Sequence, residues 1–197
     1  MSSQYKLDRD LNEAKHMAQG LEEYLRGNEV YGTPAGGMFG GDAPALTIGA
    51  LVMRLRRLTV LHDQLSEPQQ QALATAQETH RHMQREWAVH YEQKIIKEAN
   101  SRLDAIRTFF EECSDHPRNC AAIYKPEVLR RTIVQELRRV MEECKIYSAD
   151  LDKKQREMDI KLRGFVRPAN FLWSALLQEV YPADEFWWLY HAPVTEE

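Results

Sequence analysis

The chain is poor in the residues that staple or punctuate a fold. Three cysteines in 197 residues are too few, and odd in number, for a disulfide framework. They point to reduced thiols and a cytoplasmic setting. Nine glycines and eight prolines are also few, and most of the glycines crowd between Gly27 and Gly49. Long stretches on either side are left free of helix breakers. Long apolar runs are missing as well. The most apolar stretch, 43–53, holds Pro44, Thr47 and Gly49 and is far too short to span a bilayer. The charged stretch 1–15 lacks the apolar core of a secretory signal. Positive charge is not in excess either. A net charge of -4 makes no electrostatic case for nucleic acid or an anionic membrane as the main partner.

What is present is helical periodicity. Leu7, Leu11, Ala14, Ala18, Leu21 and Leu25 recur at steps of four and three, so 5–26 reads as an amphipathic helix with a heptad seam, the pattern of a coiled coil. A glycine-rich loop follows over 27–44. Residues 45–65 are apolar on most sides, as a helix buried inside a bundle would be, and Arg54, Arg56 and Arg57 form their polar side. Ser66, Pro68 and Gln69 make a helix start with a capping box. The stripe from Leu73 through Met83, Trp87, Tyr91 and Leu103 to Cys113 predicts one helix over 67–114. Leu129, Ile133, Leu137, Val140, Cys144, Tyr147, Leu151, Met158, Leu162 and Phe165 predict another over 126–164. Its length would be on the order of 60 Å at the helical rise. Ser148 to Asp150 is its weakest point. Two long helices joined by a short turn return antiparallel. The expectation is a single all-α domain over 1–197: an elongated bundle on a long antiparallel hairpin, two shorter N-terminal helices, and an aromatic helical tail over 168–191 with helices near 169–180 and 182–190.

Five groups of residues bear on chemistry. Cys113, His116 and Cys120 at the hairpin turn offer soft donors for zinc, or a Cys113–Cys120 disulfide. They lack a fourth ligand, and Cys144 lies too far along its helix to supply one. Glu78, His82, Glu86 and His90 recur at steps of four, but their spacing is not the Glu-x-x-His of di-iron bundles. The loop Gly40–Pro44 opens onto a helix as phosphate loops do, but it has no Lys-Ser/Thr. Arg54, Arg56, Arg57, Arg130, Arg131, Arg138 and Arg139 could meet phosphates, yet the later ones alternate with Glu127, Glu136, Glu142 and Glu143 in the manner of a salt-bridged face. The fifth group is aromatic: Phe165, Phe171, Trp173, Tyr181, Phe186, Trp187, Trp188 and Tyr190 crowd the last fifth of the chain.

No nucleophile, base and orienting group assemble, and no cofactor fingerprint occurs. The reading is a non-enzymatic helical interaction or scaffold protein without cofactor, whose partners are proteins, a second copy of the chain included. Trp187, Trp188 and Phe39 are its partner-binding candidates. Phe171, Trp173, Leu176 and Leu177 are expected to dock on the bundle, with one of the paired tryptophans left partly exposed. A metal- or ligand-binding bundle is the alternative, and a nucleic-acid accessory protein the second alternative.

Overall fold

The computed structural model describes residues 5–36, 44–115 and 120–193, without the side chains of 114, 115 and 120–123. The fold is all-α, mostly helical with little sheet. Seven helices are seen among the described residues: α1 (Leu7–Gln19), α2 (Leu21–Arg26), α3 (Ile48–Val60), α4 (Glu67–Glu86), α5 (Ala88–Asp115), α6 (Cys120–Cys144) and α7 (Ala149–Phe165). No helix is long and apolar enough to cross a membrane among them. The chain divides into two compact units, one of Lys6–Glu98 and one made mainly of the chain from Ala99 onward, with the boundary inside α5.

In the N-terminal unit α1 packs against α3 and α4. Leu11, Ala14, Met17 and Ala18 on α1 meet a core that includes Leu51, Leu55, Leu58, Leu73 and Ala76, all buried. Thr47 caps α3 by accepting from the Ala50 N–H at 3.0 Å. The buried Glu98 carboxylate accepts from the Gly49 N–H at 2.9 Å, placing negative charge where the α3 dipole favours it. Gln69 accepts from the Ser66 N–H at 2.8 Å and closes the capping box that the spacing predicts.

The polar side expected of α3 is buried instead. Arg54 donates from Nε to Glu13 at 2.7 Å, and Arg57 lies 3.2 Å from Asp10. Both arginines and Asp10 are nine-tenths buried. Helix α1 therefore presents acids as well as leucines to α3, and the pairing lets the guanidinium groups leave water.

Each of the long helices expected from periodicity is interrupted. The 5–26 segment breaks at Gly20, where a Cβ would come 3.0 Å from the Ala35 backbone nitrogen. The 45–65 segment is helical only from Ile48 to Val60, with a 3-10 turn at His62–Gln64. Its start is delayed because Leu46 pairs as a bridge with Gly32. A Cβ at Gly32 would strike the Tyr24 ring at 2.6 Å, so this crossing requires glycine. The 67–114 segment breaks at Trp87 (φ -108°, ψ 33°) into α4 and α5. The buried His80 and Tyr91 bridge that joint through a 2.7 Å hydrogen bond.

The largest departure is in the C-terminal unit. Residues 126–164 are not one helix: α6 ends at Cys144 and α7 begins at Ala149. Lys145 adopts φ +57°. Its N–H reaches the Glu142 carbonyl, and the Ile146 N–H reaches the Met141 carbonyl. That pair of bonds is a Schellman motif, which satisfies the last carbonyls of α6. Ile146 then turns inward and Tyr147 stands 85% exposed, while Ser148 caps α7. Cys144 and Tyr147 thus leave the expected stripe. Helices α6 and α7 return antiparallel: Arg131 pairs with Asp159, while Arg138, further along α6, pairs with Asp152, earlier on α7.

The tail is not two helices. Short strands β1 (Val166–Pro168) and β2 (His191–Pro193) pair antiparallel, with Val166 opposite Pro193. Between them lie 3-10 turns at Ala175–Leu177 and Trp187–Tyr190. Segments this short cannot meet the cost of helix nucleation alone, and ring packing sets their course. Tyr181 stacks edge-on with Trp173 and Phe186, and Phe171 packs at a tilt on Tyr190. Leu177 is buried as expected, whereas Phe171, Trp173 and Leu176 are half-buried.

Candidate interaction surface

The tail is locked to the α6–α7 hairpin at two places. Trp188, 1% exposed, donates from Nε1 to the Thr132 hydroxyl at 3.0 Å. The Arg131 guanidinium lies 3.9 Å above the Trp188 ring and is itself fixed by two bonds, 2.7 and 2.8 Å, to Asp159. Nearby, Arg139 donates from Nε to Glu185 at 2.6 Å. Desolvation works to lower the Arg139 pKa, but its contact with Glu185 prevails and raises it. One lock is stacked and the other is charged, and together they fix the turn that carries Trp187.

Trp187 comes out differently. It is half-buried, with the Arg163 guanidinium 4.1 Å from its ring centroid. The rings of Trp188 and His191 meet it edge-on at 5.8 and 5.4 Å. His191 donates from Nδ1 to the Trp187 carbonyl at 2.7 Å. A tryptophan held by three neighbours, with part of its ring in water, has the rigidity and amphipathic character of an interface anchor. The adjacent pair thus divides, with Trp188 in the core and Trp187 at the surface. Phe39 lies outside the described residues.

The other candidates are dispersed. Cys113 is buried and disulfide-bonded, which removes its sulfur from any thiolate ligand set and departs from fully reduced thiols. Cys144 is exposed and forms no disulfide. His116 and the Cys120 side chain lie outside the described residues, as does most of the Gly40–Pro44 loop. Glu78 is paired with Arg81 at 2.9 Å, and His82 with Glu86 at 3.0 Å, all on the exposed face of α4. His90 stands beyond the Trp87 break, edge-on to the Trp87 ring. No group of three or more His, Cys, Asp or Glu placed to hold a metal occurs among the described residues. Arg130, Arg131, Arg138 and Arg139 are each on a carboxylate, as their alternation with glutamates suggests.

An open cavity of about 510 Å³ lies between α5 and α7, lined by Phe110, Glu111, Cys113, Lys161, Gly164 and Phe165. The Phe165 ring also meets Phe109 and Tyr124. Tyr124 and Glu127, one helical turn apart on α6, each bury an oxygen without a hydrogen-bond partner. Burial pushes the Tyr124 hydroxyl pKa up. Burial also raises Glu127 from 4.5 to about 7, against the pull of Arg130 and with a push from Glu112. His80 moves the other way, from 6.5 to about 4, mainly through burial and then through Arg81.

These two groups give the units opposite pH responses. His80 is neutral in the fold, so its contribution to the N-terminal unit falls as pH drops from 6.5 and is gone below about 4. Burial raises the Glu127 carboxyl despite its contact with Arg130, so its contribution to the C-terminal unit falls as pH rises from 4.5 and is gone above about 7. The full loss of the His80 contribution is about 3 kcal/mol. Hydrogen exchange should show α4 weakening toward acid and α6 weakening toward neutrality. Glu127→Gln should raise the melting temperature at neutral pH and leave it unchanged near pH 4.

No family model, curated protein or solved structure matches this chain.

Proposed function

We propose that the protein is a non-enzymatic helical interaction or scaffold protein whose partners are proteins, a second copy of itself included. The observation that carries this reading is Trp187, partly exposed at the surface and held by Arg163, Trp188 and His191. Binding energy concentrates on such pre-ordered tryptophans and arginines. Affinity purification of tagged wild type beside Trp187→Ala tests it. The variant should lose partner capture by a margin on the order of 2 kcal/mol, the hot-spot scale, with an unchanged melting curve. Equal capture by both proteins would remove the reading.

A ligand-binding bundle is the second reading, favoured by the cavity between α5 and α7, whose volume suits a small molecule. Gly164 lines it, and a Cβ there would meet nothing within 4 Å. Gly164→Leu would fill the space, and it should abolish saturable binding of an apolar fluorescent probe. Unchanged probe binding would dispose of this alternative.

A further inference from the structure

Most arginines in the described structure are spent on carboxylates. Arg9, Arg26, Arg54, Arg57, Arg81, Arg85, Arg107, Arg130, Arg131, Arg138 and Arg139 all lie on an Asp or Glu. Arg156, Arg163 and Arg167 depart from this pattern. Among the described residues none of the three meets a carboxylate: Arg163 covers the Trp187 ring, and Arg167 donates to the Gly164 and Val166 carbonyls. Arg156, Ile160 and Arg163 follow at steps of four and three, so they share one face of α7. All three are exposed, Ile160 to 72%. The opposite face holds Leu151, Met158 and Leu162, all buried. Helix α7 therefore has a second, outward stripe: arginine, isoleucine, arginine, with Trp187 beside the last.

We propose that this outward stripe of α7, with Trp187, binds an acidic amphipathic protein segment. The proposal rests on the interaction reading above and names the partner's chemistry. Two unpaired cations on a chain of net charge -4 complement acids. The two arginines are roughly 10 Å apart along the axis, a spacing that acids two turns apart on a facing helix match. Ile160 between them calls for an apolar side chain at the midpoint. A nucleic-acid backbone fits less well. It would lay phosphates over Ile160, and Glu157 and Asp159 on the same helix break any continuous basic track.

The test uses the full chain and fluorescence anisotropy with a labelled helical peptide carrying the repeat Glu-x-x-x-Leu-x-x-Glu. A scrambled peptide of the same composition and an oligothymidylate of matched charge serve as comparators. The repeat peptide should bind, more weakly at high salt. Arg156→Glu with Arg163→Glu should weaken it by roughly tenfold or more, and Ile160→Ser should weaken it at constant charge. Arg81→Glu, an exposed change on α4, should have no effect. Equal binding of the scrambled peptide, indifference to the double substitution, or tighter binding of the oligonucleotide would each overturn the proposal. If the peptide fails while Trp187-dependent partner capture persists, the acidic class is wrong and the interaction reading stands. If capture is also indifferent to Trp187, both fall.

Discussion

Trp188→Ala should destabilise the C-terminal unit by ~3–5 kcal/mol, the range for emptying a buried aromatic site. Three losses combine. A ring that is 1% exposed is removed, its hydrogen bond to Thr132 disappears, and Arg131 loses the π face 3.9 Å below it. For a chain of this size the melting temperature should fall by roughly 10 °C. Trp188→Phe should recover part of the loss by refilling volume without the N–H. Trp187→Ala, one residue away, should cost less than about 1 kcal/mol, because its partly exposed ring empties no enclosed space. Equal drops for both substitutions would show that the tail is all core and would take away the surface anchor.

Asp10→Ala should cost the N-terminal unit a similar ~3–5 kcal/mol, because it takes a buried carboxylate from two buried arginines. Asp10 is 3.2 Å from Arg57 and 3.8 Å from Arg54, with all three side chains 9% exposed. Glu13 still holds Arg54 through the 2.7 Å bond, while the 3.2 Å contact of Arg57 with Asp10 is lost outright. Pairing the change with Arg57→Met should return much of the stability, since apolar replacement of both partners avoids the uncompensated charge. Urea unfolding of the single and double variants measures this. A double variant no better than Asp10→Ala would mean that the loss comes from packing rather than charge.

The all-α class was legible because the apolar steps of three and four were real. Leu11, Ala14 and Ala18 are buried on α1, and Leu137, Leu151, Met158 and Leu162 are buried where their spacing places them. The Ser66–Gln69 start was legible because capping chemistry is local. What periodicity hid was direction. A stripe continues through a tight reversal if the reversal keeps the phase, and Lys145 makes one without the glycine that usually marks a Schellman turn. The signal was present downstream, in Ser148 followed by Asp150 and Asp152, an N-cap with acids in the first turn. The Gly20 break depends on the approach of Ala35, which no local pattern announces. Arg54 and Arg57 read as a solvent face because their partners lie on α1, far away in sequence.

The candidate surface was half legible. Adjacent tryptophans on a helix point about 100° apart, so one of Trp187 and Trp188 was expected to be partly exposed, and the 3-10 turn that replaces that helix still divides them. Which of the two goes inside depends on Thr132 and Arg131, and only the fold brings these to the tail. The outward stripe of α7, formed by Arg156, Ile160 and Arg163, was not read from the sequence. It gains meaning only once the carboxylate partners of the other arginines are known.

The most direct measurement of the central claim is site-specific photocrosslinking from position 160. With p-benzoylphenylalanine in place of Ile160, irradiation in the native host should give an adduct of discrete mass, to another protein or to a second copy. The adduct should disappear when Trp187→Ala is added, and the same photolabel at exposed Thr75 on α4 should give none. No adduct at position 160, or equal adducts at 160 and 75, would contradict the assignment of this face as the site of partner binding.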